Sequence, residues 1–247
     1  MTSRQDLLLR ALAHECGNLL AAVRLSAYVL RLAPDEAETR SLAAEIEVVS
    51  LRAAALVALL RPLRDAEPLR PAALATADVL AALERAVALP EGAPNRIEVR
   101  VPRRAPALRA EADALHHALL SLVLAAAAGS PPPRHVRVSA SAQGARLRIR
   151  VEDDGPAPEP VPRPPLLPRG RPLALALADA VLRRFGGRAA LAPRRRGACV
   201  ELWLRAAPAP RKGAGLSRRA GSSPRTSAAP LRRGEASARR KTTRRRR

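Results

Sequence analysis

The sequence predicts an α+β protein: a two-helix hairpin that pairs with a second copy as a four-helix bundle, then helices on one face of a mixed sheet, then a disordered basic tail. Three observations carry this. Apolar residues at three-and-four spacing fill the amino-terminal quarter; helical and alternating runs interleave through the middle; and the carboxy-terminal stretch is Arg, Ser, Ala, Gly and Pro with almost no large apolar side chains. At 247 residues the chain has room for two small domains, placed at 1–66 and 74–205, with the tail at 206–247. Apolar residues make up 47% and aromatics 1%, so any core is built from Leu, Val and Ala, a composition that favours helix.

In the first helix, Leu9, Leu12, Cys16, Leu19, Val23, Ser26 and Leu30 form a heptad seam. Leu42, Ile46, Val49, Ala53, Leu56, Leu60 and Leu63 repeat it, and Pro34 with Asp35 supplies the stop and the new start between them. Further apolar residues beside the seams, such as Leu20 and Val48, exceed what one hairpin can cover, hence the expected homodimer. The competing expectation is that the hairpin packs on its own second domain.

After a linker marked by Pro68 and Pro71, the pattern predicts helix 76–89, strand 97–101, helix 111–128 stopped by Gly129, and strand 136–140. A turn at Gln143 and Gly144 leads to strand 146–152. Eight prolines between Pro156 and Pro172 mark a loop, followed by helix 173–185, stopped by Gly186, and a final strand pair ending in "ACVELWLRA". Phe185 and Trp203 read as core anchors.

The formal charge is +22, but 14 of the 44 basic residues fall between Arg211 and Arg247, where Glu235 is the sole acid. Nucleic acid is therefore an expected partner only through the tail, and no aromatic interleaves the charges there. Cys16 and Cys199 form no metal-ligand spacing, Cys16 reads as packed, and no metal site is expected. Arg10, His14 and Glu15 break the apolar run at the amino terminus, so no signal peptide is expected; two histidines, two serines and three prolines in the uncharged stretch Ala114 to Pro133 argue against a membrane span, and the anticipated location is the cytoplasm. The adjacent His116 and His117 point in different directions from one helix and make a poor metal pair.

In "LAHECGNLL", His14 occupies the heptad position farthest from the seam and should face water. Asn18 lies one turn further on the same face and Glu15 beside it, which groups an imidazole, an amide and a carboxylate. That trio suits in-line phosphoryl transfer, the carboxylate handling a proton and the amide positioning water.

"HECGN" within a heptad hairpin resembles the phosphoacceptor box of sensor histidine kinases, His-Glu-x-x-Asn. The resemblance implies that His14 carries the phosphoryl group, Glu15 assists autophosphorylation, and Asn18 helps a receiver domain shed phosphate. Leu19 and Leu20 stand where that family usually has Pro. Residues 74–205 resemble the family's Bergerat-type ATP-binding fold in element order. "EADALHHALLSLVLAAAA" resembles the helix that supplies two asparagines, one of which holds Mg²⁺; Ser121 and Ala125 stand there instead, and a methyl group cannot ligate a cation that demands oxygen. "VEDDGPAP" is similar to the Asp-x-Gly-x-Gly box. There Asp153 takes the place of the carboxylate that reads the adenine amine, Gly155 is retained, and Ala157 replaces the second glycine. In "RGRPLALALADAVLRRFGG", Gly170 survives, but Pro172 and Ala174 replace glycines, and Pro removes an N–H that could meet phosphate.

The resemblance thus implies a two-component signalling protein, a histidine phosphotransferase or pseudokinase of a phosphorelay. It exchanges phosphoryl groups between His14 and a response-regulator aspartate, with ATP at most a vestigial ligand of Asp153, Gly155 and Gly170. The alternatives are an active ATP-dependent sensor histidine kinase, and a non-enzymatic signalling scaffold or nucleic-acid binder working through the basic tail.

Overall fold

Leu, Ala and charged residues at helical spacing form α1 (Arg4–Leu30), and Asp35 accepts the Glu38 N–H at 2.8 Å to cap α2 (Glu36–Ala58). The computed structural model describes residues 4–32, 35–64, 69–88, 96–102, 105–129, 133–156, 168–194 and 196–207. Pro34, Pro68 and most of the proline-rich loop and of the expected tail lie outside them.

The hairpin seam is the expected one: Leu12, Leu19 and Ser26 are buried on α1, and Leu56 on α2. Ser26 Oγ donates to the Ala22 carbonyl and, across the hairpin, to Glu45 Oε2 at 3.2 Å. A second buried row, Leu8, Ala11 and Glu15, runs beside the seam. That extra row is needed because α1 also packs on a later helix, and α2 on another, within one unit.

Beyond the hairpin come α3 (Leu60–Arg64), β1 (Ala72–Leu74), α4 (Thr76–Ala86), β2 (Arg96–Arg100), β3 (Ala107–Ala110), α5 (Ala112–Ala127), β4 (His135–Gln143), β5 (Arg146–Asp153), α6 (Gly170–Arg183), β6 (Arg188–Ala192) and β7 (Cys199–Ala207). Six strands run in the order β1-β3-β7-β5-β4-β2, and β6 shares an edge of β7 with β3. Only β2 and β4 pair in parallel among the described strands, so the sheet is mixed, as the sequence predicts. β1 and β3 were not expected, and β7 continues through Ala207, past the point where the tail was placed, because Ala206 and Ala207 pair with Leu108 and Ala107.

The helices cover one face. Leu115, Leu119 and Leu122 of α5, Leu173 and Leu177 of α6, and Leu147 and Ile149 of β5 belong to one core cluster, all 1% exposed or less. Each fully buried side chain of this kind contributes about 2 kcal/mol before cavity terms. α5 is buried almost all round because α2, α4, α6 and the sheet surround it. Asp179, itself buried, ties α6 to the sheet by accepting the Ala189 N–H at 3.0 Å while pairing with Arg183. At the same end of α6, the arginine that caps it, Arg184, donates to the Pro62 carbonyl and so joins α3 to this layer.

The turn into β7 depends on Gly197, whose φ of +67° is left-handed and whose added Cβ would collide with the Asp153 carbonyl. Gly197→Ala should therefore cost at least about 2 kcal/mol. A urea midpoint by far-UV circular dichroism that equals the parent's would contradict this.

Candidate functional site

His14 and Asn18 sit one turn apart on the outer surface of α1, and both are exposed. The same face continues through Leu25 and Tyr28, 65% and 58% exposed, so the imidazole heads a solvent-facing strip of mixed polarity. Glu15 departs from the expected patch. It is buried, pointing between the helices, and its carboxylate pairs with Arg52 of α2 at 2.5 Å. The reason is angular: a step of one residue turns about 100° around a helix, which carries Glu15 from the exposed face to the packed one. Arg52 also borders Gly170, the first residue of α6, so the buried pair reaches from the hairpin to the head of that helix. Cys16 is half-buried in the seam, and burial, followed by the Glu15 charge, pushes its thiol pKa up.

Asp153, Gly155 and Gly170 converge at the second candidate site. Asp153 ends β5 with its side chain 2% exposed. Its Oδ1 accepts the N–H groups of Gly155 at 3.0 Å and Ala198 at 3.3 Å, while Oδ2 pairs with Arg171 of α6 at 3.1 Å. The neighbouring Asp154 accepts the His135 N–H at 3.0 Å, so "DDG" is a turn that ties the end of β5 to the start of β4. Burial raises the Asp153 carboxyl above its ordinary pKa, and the Arg171 guanidinium and the two N–H donors offset this in part.

Gly170 has φ +53°, a left-handed value that suits glycine, at the start of α6. The helix starts there rather than at Leu173 as expected. Pro172 is accommodated in the first turn, where its missing N–H has no partner to lose. Ser121 is 1% exposed and its hydroxyl donates back to the Ala118 carbonyl at 2.9 Å; Ala125 is 5% exposed.

These residues do not fit Mg²⁺ with ATP. The carboxylate that would read a base amine has both oxygens engaged, the one hydroxyl on the asparagine-like face of α5 is turned into its own helix, and no oxygen ligand stands at Ala125. Among the described residues no cluster of His, Cys, Asp or Glu is placed to hold a metal. His117 Nδ1 is 2.8 Å from the Asp113 carbonyl, and His116 lies edge-on to it at 5.4 Å with its pKa lowered by burial. A cleft of about 560 Å³ opens between the base of the hairpin and α5, lined by Val57, Arg61, Arg70, Asp113 and His117; none of the candidate residues lines it.

Comparison with known proteins defines the class. Residues 110–208 match the family described as histidine kinase-, DNA gyrase B-, and HSP90-like ATPase. That part of the chain carries an ATPase-type domain of this family. No curated protein matches the chain. Among solved structures it is similar to the histidine kinase AdeS of Acinetobacter baumannii, at 16% identity over 78% of this chain and 98% of that one, TM-score 0.45. It is also similar to full-length ShkA in complex with AMPPNP, at 19% identity over 84% of this chain and 47% of that one, TM-score 0.46. The catalytic domain of the histidine kinase ThkA matches at 13% identity over 56% and 96% of the two chains, TM-score 0.46. No helix among the described residues is long and apolar enough to cross a membrane.

Arg52 and Arg171 are the site residues that sequence reading missed. Neither belongs to a local motif, and each acquires its role from a partner distant in the chain. Arg171→Met should strand a buried carboxylate and destabilise the protein by about 3–5 kcal/mol near pH ~8. Because the folded carboxyl already titrates above its unfolded value, the ionised form is the penalised one. The cost should therefore shrink as pH falls from about 8 to the acid side of the raised folded pKa. Denaturant midpoints of parent and variant at both pH values check this; a cost independent of pH would mean that Arg171 acts through packing alone.

Proposed function

We propose that this chain is a two-component signal transduction protein of the histidine kinase family in which His14 exchanges phosphoryl groups with the aspartate of a response-regulator receiver domain. ATP is not its immediate donor. The observation that carries the reading is a contrast: the imidazole of His14 stands exposed beside Asn18, while the carboxylate of Asp153 is buried and bonded from within. Transfer needs only the former. The unprotonated ring nitrogen of His14 attacks the phosphorus of an aspartyl phosphate, a P–N bond forms as the P–O bond to the carboxylate breaks, and the reverse step returns the group. The receiver supplies its own metal ion.

In this reading residues 1–66 are the phosphoacceptor hairpin, 74–205 a degenerate ATPase domain serving as a docking platform, and 206–247 an appended basic tail. Apolar side chains left exposed on the hairpin, Leu20 at 60% and Leu32 at 65%, support pairing of two hairpins in a cytoplasmic homodimer. Glu15, held by Arg52, orients the first helix instead of handling a proton, which further weakens the case for autophosphorylation.

Incubation with a phosphorylated receiver should label the parent protein, and His14→Gln should abolish the label. Asn18→Ala should retain labelling while slowing loss of phosphate from the receiver on the order of tenfold. Equal loss of both activities in Asn18→Ala would break the division of roles, and labelling of His14→Gln would remove the phosphoacceptor altogether.

A further inference from the structure

The sheet has a second face, opposite the helices, and its chemistry plays no part in the function proposed above. Strand alternation sends Leu147, Ile149 and Val151 of β5 inward and Arg146, Arg148 and Arg150 outward. In the same way β7 turns Val200, Leu202 and Leu204 in and Glu201, Trp203 and Arg205 out. The outward register then continues across the sheet. Arg188 of β6 lies opposite Trp203, which lies opposite Arg148, which lies opposite Ser141 of β4. One row further along, Glu201, Arg150, Ser139 and Arg100 are aligned, and Arg137 and Arg96 complete the surface on β4 and β2.

Among the described residues of β2, β4, β5, β6 and β7, eight arginines therefore share this face with three glutamates. Glu201 pairs with Arg150 at 2.8 Å and Arg148 at 3.4 Å, and Glu98 with Arg100 at 2.8 Å and Arg137 at 3.1 Å. The third, Glu152, faces Arg194 at 3.9 Å. Among the described residues no carboxylate is set against Arg96, Arg146, Arg188 or Arg205, all of them exposed. At the centre is Trp203, half-buried, with the guanidiniums of Arg148 and Arg188 at 5.6 Å and 5.7 Å from its ring, one from each neighbouring strand.

We propose that this face binds single-stranded nucleic acid, with Trp203 as a base-stacking platform and the surrounding guanidiniums holding phosphates. The chemistry excludes nearer alternatives. A membrane surface needs apolar side chains to enter the acyl boundary, and apart from Trp203 the outward positions hold Ala, Ser, Gln and charged residues. The carboxy-terminal tail carries the same sign of charge and would be repelled. A duplex is read by an element that enters a groove, whereas an open sheet presents a surface on which splayed bases stack. Guanidinium forks match phosphate oxygens, and transfer of the Arg148 and Arg188 guanidiniums from the indole to phosphates would free its π-face for a base.

Trp203 is the sole tryptophan, so its emission reports on this face alone. Titrating the full chain with a thymidine oligomer of about 12 nucleotides should quench that emission saturably. Four or five phosphate contacts predict a roughly 50-fold loss of affinity between about 50 and 200 mM salt. Arg188→Glu combined with Arg205→Glu should weaken quenching at least about tenfold, and Trp203→Ala should weaken binding of a labelled oligomer about tenfold by anisotropy. Binding of the labelled oligomer without a change in Trp203 emission would overturn the proposal, since the contact would then lie elsewhere, as on the tail. Equal quenching by duplex DNA, polyglutamate or phosphatidylglycerol vesicles would overturn it as well.

Discussion

A carboxylate removed from water must be surrounded by donors or neutralised, and Asp153 meets that demand in a way that organises one end of the molecule. Two backbone N–H groups and a guanidinium converge on it from the turn after β5, the approach to β7 and the first turn of α6. Arg194 adds a bond to its carbonyl at 3.2 Å, and Gly197 passes close enough that no side chain fits. Desolvating such a group costs several kcal/mol, which only the full set of partners offsets. The carboxylate of Asp153 therefore acts as a structural joint between β5, β7 and α6.

The hairpin has a comparable joint in Glu15 and Arg52. Two exposures of 8% and 15% place that pair between helices rather than on their surface, and Arg52 extends it to Gly170. The pair fixes the rotation of α1, and the rotation determines that His14 and Asn18 face out while Leu12 and Leu19 face in. Exposure of the imidazole is thus a consequence of where its neighbour's charge is satisfied.

The long helices, the five longer strands and the mixed sheet were legible because periodicity over many residues is a strong local signal. β1 and β3 were not. "AAL" and "ALRA" hold no β-branched or aromatic residue, and they become strands because β3 finds the free edge of β7 beyond the end of β6. Trp203 was misassigned for the opposite reason: its size suggested a core residue, although the alternation of Val200, Leu202 and Leu204 already placed it on the other face. The inward turn of Glu15 could not have been read locally, since a charged residue is taken as exposed until its partner is known. Arg171 likewise carries no local signal, and its pairing with Asp153 exists only in three dimensions.

The location of Trp203 bears on how this molecule can be observed. With Tyr28 on the outer surface of α1, the chain's one indole and one phenol both lie outside the hydrophobic interior, and Phe185 is the sole aromatic ring within it. The interior is consequently almost transparent in the near ultraviolet. Loss of tight packing beneath an intact sheet surface would leave the usual chromophores undisturbed, so a loosened interior in this protein has to be sought through methyl groups or amide protons.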